Sequence, residues 1–558
     1  MRLCKIYFVS LYIVRRKSPQ TCDGVAVELI LKLIKMKTKH LLCYLIICIL
    51  SLFIGCEKEN DYPELTPDDI GSANINSNDY GDYFLYGSNM GWLNNNWRDE
   101  DIADMLVGKP SRGQTWEGVG VNSLRLRLHE GFVEAWGFDN KVNTFKYYCT
   151  DLNTKHNVIF IGEEPCDRHR DGNSGTFKNL YEPVWVENEN GITVNERNYY
   201  AWYVYNLVIR YKDYVTFWEI FSEPDLDNSD CGWRPPGDDC NWWDRDPPPS
   251  ALKNLKAPIQ SYIRMLRISY EVIKSVDPDA FVCVGGLGYP SFLDAILRNT
   301  DNPDGGKVTE RYPQKGGAWF DCLSFHCYPI YYLRTWGNGG WNHFRHSDAA
   351  AEALINLQSE FEEVLRKYGY GGEYPAKEVI VTETNIPRVQ EGDNIGSPEA
   401  QRNYLIKAAV VGQKNRIRGI YPFSAWDTGR EFDYMGFYQM LPDTPTSGNL
   451  RVNESGIGWR TVSAMLRERK YDPAETAKLA LPSTIEGGAF HSTRTNDYVY
   501  ALWAKTSRDL NETVSATYSF PTSISANRLN VTSWNGTTSV TNGRAITLSG
   551  NPVFIQCN

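Results

Sequence analysis

Histidine is scarce in this chain, 8 in 558 residues, and neither a CxxC pair nor an HExxH string occurs. A structural zinc site or a zincin is therefore left without support, so no metal and no cofactor is expected. Positive charge is also in short supply. The net charge of -10 and the pI near 5.5 leave no basic stripe to neutralise phosphates, which excludes nucleic acid as the partner. A membrane-spanning run is missing too: residues 41–54 make 14 mostly apolar positions, short of the ~20 that cross a bilayer as a helix. No internal repeat and no low-complexity tract is found.

Aromatics are plentiful instead, at Trp 17, Tyr 34 and Phe 22, or 13% of the chain. More than half should pack in the core, but many fall in loops, where stacking on a flat apolar face such as a sugar ring is one use for them.

The amino terminus reads as an address. Lys37 and Lys39 precede the apolar run, the pattern of a secretory signal, and Leu52-Phe53-Ile54-Gly55-Cys56 resembles a bacterial lipobox. Met36 then makes a better start than Met1, residues 1–56 are a dispensable extension with a lipoprotein signal, and Cys56 takes the lipid. Glu57-Lys58-Glu59-Asn60-Asp61 opens a polar tether over 57–80 that looks like the surface-export signals of some Gram-negative lipoproteins. The expected address is the outer membrane, lipid-anchored, on the cell surface; the alternative is an uncleaved membrane anchor. Exported cysteines can pair, and Cys231 and Cys240 share one Gly/Pro/Asp-rich loop at a spacing a disulfide can close. Cys283, Cys322 and Cys327 fall in or beside strands and read as buried thiols.

From residue 81 onward short apolar strands alternate with helical patterns. The strand candidates are 83–86, 123–128, 157–161, 216–221, 281–284, 322–325, 379–382 and 419–423, with helix-period runs at 200–211, 259–276, 349–368 and 399–415. Eight strands with helical spacers predict an α/β fold, a (β/α)8 TIM barrel over 81–470. Beyond it the texture changes to short alternating runs separated by Asn, Gly, Ser and Thr, which predicts a C-terminal antiparallel β-sandwich over 471–558.

The chemistry should sit at the strand ends. Thr216-Phe217-Trp218-Glu219-Ile220-Phe221-Ser222-Glu223-Pro224 is an apolar strand that proline must stop, so Glu223 lies at its carboxyl end, where parallel barrels carry their active sites. Glu378-Val379-Ile380-Val381-Thr382-Glu383 repeats the arrangement. Two carboxylates at two strand ends are the minimum equipment for acid-catalysed glycoside cleavage. Glu163, Glu164 and Asp427 also end strands and stay open as alternatives. In Ser123-Leu124-Arg125-Leu126-Arg127-Leu128-His129 the period of two puts both arginines and the histidine on the lumen face. Each arginine needs a carboxylate there, and Glu219, on the same face as Glu223 but deeper, is one candidate. Trp233, Trp242 and Trp243, in the long loop 225–250, are available above the barrel, and Trp426 follows strand eight.

These motifs resemble those of clan A glycoside hydrolases, most nearly family 39. Trp218 to Leu226 is similar to the clan's acid/base motif at strand four, Phe325-His326-Cys327-Tyr328-Pro329 to its His-x-Tyr-Pro at strand six, Thr382-Glu383 to its nucleophile at strand seven, and Arg127-Leu128-His129 to an Arg-x-His at strand two. The clan's asparagine before the acid is here Ser222, a shorter side chain with one hydroxyl. The resemblance implies a retaining glycosidase with Glu383 as nucleophile and Glu223 as acid/base. It implies Arg127 near Glu383, and sugar contacts from Ser222, Arg127, His129, His326, Tyr328 and Trp426, joined by Trp233 and Trp242 of the loop. Polymeric or oligomeric carbohydrate is the implied partner. The alternative is a non-catalytic surface glycan-binding lipoprotein on the same scaffold.

Overall fold

The eight runs of apolar, β-branched and aromatic residues form eight parallel strands: β1 (Leu85–Asn89), β2 (Ser123–Arg127), β3 (Asn157–Ile161), β4 (Val215–Ile220), β5 (Phe281–Val284), β6 (Cys322–Cys327), β7 (Glu378–Thr384) and β8 (Gly419–Pro422). Each pairs with its neighbours in sequence and β8 pairs with β1, so the sheet closes into a barrel. A helix follows every strand: α1 (Asp99–Val107), α2 (Val142–Thr150), α3 (Tyr199–Tyr211), α4 (Ile259–Val276), α5 (Pro290–Arg298), α6 (Ser347–Lys367), α7 (Pro398–Lys414) and α8 (Glu454–Leu466). This is the (β/α)8 barrel that the alternation predicts. The structure, a computed structural model, describes residues 83–557 apart from 91–96, 111–112, 190, 338, 391–395, 428–433, 443–444 and 446. The signal, Cys56 and the tether of 57–80 lie outside the described residues. Among those described, no helix is long and apolar enough to cross a membrane.

The lumen is filled in layers because successive side chains of a strand alternate between its faces. Leu85, Val158, Phe217, Cys283, Cys322, Ile380 and Tyr421 make an apolar plug. Two residues further along their strands stand Phe160, Glu219, Ser324 and Thr382, joined by Arg125 of β2, so the next layer is buried and, Phe160 apart, polar. On the other face of β2, Leu124 and Leu126, with Leu128 beyond the strand end, join the core shared with the helices. Each buried leucine contributes about 1.5–3 kcal/mol, which ties the strand's register to its alternation.

Beyond α8 lie two antiparallel sheets. β9 (Lys470–Asp472), β10 (Ile485–Ser492), β11 (Asp497–Ala504), β13 (Arg528–Ser533), β14 (Thr538–Asn542) and β16 (Val553–Cys557) form a sheet in the order β9-β10-β11-β16-β13-β14, and β12 (Ser515–Ser519) pairs with β15 (Ala545–Ser549). They share a core that includes Ile485, Leu502, Leu529 and Leu548. A buried polar network joins them to the barrel. Lys407 of α7 reaches Asp348 of α6 at 2.8 Å, and Trp503 of β11 donates to the same carboxylate at 2.8 Å. Glu512 accepts from Ser347 and Asn403 at 2.9 Å each.

Three departures from the sequence reading have local causes. β10 holds Gly487 and Gly488, and β14 is short and rich in Thr and Ser, so both carry a weak strand signal. The hairpins Trp185–Asn188/Gly191–Val194 and Arg334–Gly337/Gly340–His343 are excursions whose pairing supplies what their composition lacks. β1 begins at Leu85 rather than Tyr83 and runs on to Asn89, which brings a buried asparagine into the barrel.

Candidate active site

The floor of the site is Arg125. Its Nε donates to Glu219 Oε2 at 2.7 Å, and Nη1 donates to Asn89 Oδ1 at 2.8 Å and to Glu383 Oε1 at 2.7 Å. The guanidinium lies 4.3 Å over the ring of Phe160. Glu219 is fully buried and also accepts from Ser324 and Thr382, each at 2.8 Å. Asn89 in turn donates to the carbonyls of Thr382 at 2.8 Å and Tyr421 at 3.0 Å, linking β1, β7 and β8 under the site. Burial would lower the basicity of Arg125, but Glu219 and Glu383 outweigh it and hold the guanidinium charged.

Glu383 reaches this lumen through an irregularity in β7. Val381 pairs with Phe325 and Glu383 with His326, so the register slips between them. In a regular strand Thr382 and Glu383 would face opposite sides. The slip lets Thr382 bond Glu219 while the next residue bonds Arg125. Tyr328 donates to Glu383 Oε2 at 2.6 Å. Burial alone would raise the carboxyl of Glu383, but the charges of His326 and Arg125 and the bond from Tyr328 hold it below the usual range. Burial also keeps the Tyr328 phenol far above its ordinary value, so it remains a donor.

Glu223 is aimed by the turn after β4. Phe221 (φ 76°) and Glu223 (φ 48°) both adopt left-handed backbone, a conformation that costs ~1–3 kcal/mol for such residues and clusters at functional sites. Neighbouring loops hold the turn: Glu223 N–H donates to the Gly285 carbonyl at 2.8 Å, and Asn254 donates to the Glu223 carbonyl at 3.1 Å. Asp225 accepts from the N–H groups of Gly288 and Tyr289 at 2.8 and 2.9 Å, and burial raises its carboxyl to about 7 against those two bonds.

His326 joins the two acids. Its Nδ1 lies 2.8 Å from Glu223 Oε1 and 3.8 Å from Glu383 Oε2, and Nε2 lies 4.0 Å from Glu219. Burial would make the imidazole less basic, but Glu383 and Glu223 reverse this and raise it. The facing oxygens of Glu223 and Glu383 and the imidazole nitrogen all lie within 4.8 Å of one another. Such a trio offers three ligand atoms, but both oxygens of Glu383 are already bonded, by Arg125 and by Tyr328. A second group with metal-ligating atoms, Glu130, Glu134, Cys166 and His169, stands apart from it.

The other residues singled out from the sequence divide. Ser222 Oγ is 3.4 Å from Arg125 Nη2, a long contact at the edge of the site. Arg127 does not approach Glu383. It pairs with Glu163 and, at 2.7 Å, with Glu164, and His129 lies 3.8 Å from Glu164. The reason is position: Arg127 ends β2 beside the end of β3, where those two acids stand, and Arg125 one layer deeper faces Glu383 instead. Burial raises Glu163 to about 7 despite its guanidinium partner. Asp427 is bound by Arg388 through two bonds of 2.7 and 2.5 Å. Trp242 cannot meet a substrate, for it is fully buried against Tyr289 and Phe292. Trp233 is 47% exposed and stands edge-on to Tyr289 and Tyr332, while Trp426 is 7% exposed beyond β8. Cys231 and Cys240 are bonded, with Cα atoms 5.5 Å apart. Asn89 went unread because the strand signal ends before it.

No family model matches the chain, and no curated relative does either. Among solved structures, it is similar to a glucosidase from Croceicoccus marinus, with 12% identity, coverage of 85% of this chain and 96% of that one, and a TM-score of 0.48. It is also similar to the catalytic domain of the GH30 xylanase C from Talaromyces cellulolyticus, with 12% identity, coverage of 82% and 91%, and a TM-score of 0.46. A third is the GH51 alpha-L-arabinofuranosidase from Thermotoga petrophila, with 11% identity, coverage of 85% and 96%, and a TM-score of 0.46.

Proposed function

We propose that this protein is a retaining glycoside hydrolase of clan A, acting on a poly- or oligosaccharide by double displacement. The observation that carries the reading is the facing of Glu223 and Glu383, whose oxygens come within 4.8 Å of one another across the barrel mouth. Carboxyl groups ~5–5.5 Å apart suit attack by one of them, whereas inverting enzymes leave ~6.5–9.5 Å for a water.

Glu383 attacks the anomeric carbon while Glu223 gives a proton to the departing glycosidic oxygen. Water then attacks the glycosyl ester, giving its proton to Glu223, and Glu383 leaves as carboxylate. Arg125 and Tyr328 bond both oxygens of Glu383 and so keep it ionised and oriented before attack. His326 contacts Glu223 and sets the face from which the proton is delivered. The sugar-binding roles of Ser222, Arg127, His129, Trp233 and Trp426 belong to the same proposal, with Arg127 acting at the rim beside Glu163 and Glu164. Family 39 is the nearest likeness by motif, with Ser222 as its departure. The lipobox-like run ending at Cys56 supports an outer-membrane lipoprotein whose substrate is a surface-accessible polymer.

The test is turnover on a panel of plant and algal polysaccharides, with chelator present, for the wild-type chain and for Glu383→Ala and Glu223→Ala. Both variants should lose hydrolysis of unactivated substrate, and azide should rescue Glu383→Ala as a glycosyl azide of inverted configuration. Full activity in either variant would refute the assignment, and wild-type binding without turnover would favour a non-catalytic glycan-binding protein.

A further inference from the structure

The short helix Glu130–Trp136, which follows β2, presents Glu130 and Glu134 one turn apart on one face. The loop after β3 brings Cys166 and His169, three residues apart, against that face. One ligand-competent atom from each of the four side chains lies within 4.8 Å of the others. The grouping is independent of the glycosidase reading and shares no residue with it. We infer that these four side chains form a binding site for one divalent transition-metal ion, zinc by its donor set, that clamps two loops of the barrel mouth together.

The donors argue the class of metal. A thiolate, an imidazole nitrogen and two carboxylate oxygens suit Zn2+, whereas Mg2+ and Ca2+ take oxygen alone. Four protein ligands fill a tetrahedron, which makes the site structural rather than catalytic. Charge agrees. Two carboxylates and a thiolate carry one more negative charge than the ion neutralises, and Arg168, paired with Glu134, stands ready to balance it.

Three further observations go beyond an ordinary surface cluster. The Glu130 side chain is 3% exposed, and its oxygens face the His169 imidazole and the N–H of Cys166 at 2.7 Å. Those two contacts hold the buried carboxylate facing the other donors, pre-oriented as a ligand. His169 stacks on Tyr199, with ring centroids 4.1 Å apart and 17° between planes, which fixes the orientation of its nitrogens as a metal ligand requires. Cys166 is a half-exposed free thiol in a chain that bonds Cys231 to Cys240; metal ligation would keep it from oxidation.

The consequence is mechanical. Residues 130–136 continue from Arg127 and His129, and 166–169 continue from Glu163 and Glu164, so an ion joining them holds both sides of that rim cluster.

The test uses the full chain, stripped by chelator and dialysed, then titrated with Zn2+ and separately with Co2+. We expect roughly one ion bound per chain, a rise in melting temperature with added Zn2+, and a thiolate-to-metal charge-transfer band in the Co2+ form. Cys166→Ser should abolish that band, and His169→Gln and Glu134→Gln should weaken Zn2+ binding by roughly tenfold or more. Glu383→Gln should change neither. Glu134 is partly exposed, so its variant serves even if Cys166→Ser fails to fold. Absence of bound ion at micromolar Zn2+, a Co2+ form without the sulfur band, or binding lost with Glu383→Gln and kept with Glu134→Gln would each overturn the site.

Discussion

Arg125 grips Glu383 from beneath, with Nη1 2.7 Å from Oε1, while its Nε is spent on Glu219 at the same distance. One guanidinium thus serves a carboxylate that is 15% exposed and another with no exposure at all. Arg125→Ala would leave Glu219 buried without its cation, a loss of about 3–5 kcal/mol. Urea denaturation should read that loss as a lower midpoint at unchanged slope. Arg125→Ala combined with Glu219→Gln should recover part of the stability, but not the activity.

In the proposed mechanism Glu383 attacks as the carboxylate, so the acid limb of kcat/KM should lie below the ordinary carboxylate value of 4.5. Tyr328 contributes to that depression. Tyr328→Phe should therefore move the limb toward higher pH, with kcat/KM falling most at low pH. The same depression makes Glu383 a stabilising group above its unfolded pKa, and that contribution is lost as pH falls through the folded value. An acid limb that stays in place in Tyr328→Phe would remove the phenol from this role.

For His326 the sign reverses. Its basicity is raised above the ordinary 6.5, so it contributes stability that is full below that value and lost as pH rises through the folded pKa. His326→Gln should lower the melting temperature more at pH 5 than at pH 9.

The imidazole fits only because residue 286 is glycine. Gly286 has φ 54°, and a Cβ there would fall 2.2 Å from His326 Nε2. Gly286→Ala should displace His326 from Glu223 and lower kcat by roughly 10- to 100-fold. An unchanged kcat in a folded Gly286→Ala would show that the histidine's position is not critical.

Trp242 and Trp233 lie in one loop and should respond oppositely. Trp242 is fully buried, and Trp242→Ala should cost about 3–5 kcal/mol of stability. Trp233, 47% exposed, should change the melting temperature little on substitution by alanine and raise KM on polymeric substrate instead. Calorimetry and steady-state kinetics on the pair separate the two effects.

Local pattern was enough to read the strand–helix alternation, the inward face of Arg125 and Arg127, and the strand-end positions of Glu223 and Glu383. All of these follow from periods of two and 3.6 residues and from a proline that stops a strand, physics that acts within a few residues. Only the tertiary structure decided which arginine meets Glu383, because that depends on a slipped register between β6 and β7 and on which layer each strand contributes. It also decided that Trp242 is core and not platform, that Asn89 ties three strands beneath the site, and that Glu130 and Glu134 meet Cys166 and His169. Those outcomes join segments about 30 to 330 residues apart, and nothing in a local window encodes such a pairing; it is settled when the closed barrel fixes every strand against its neighbours at once.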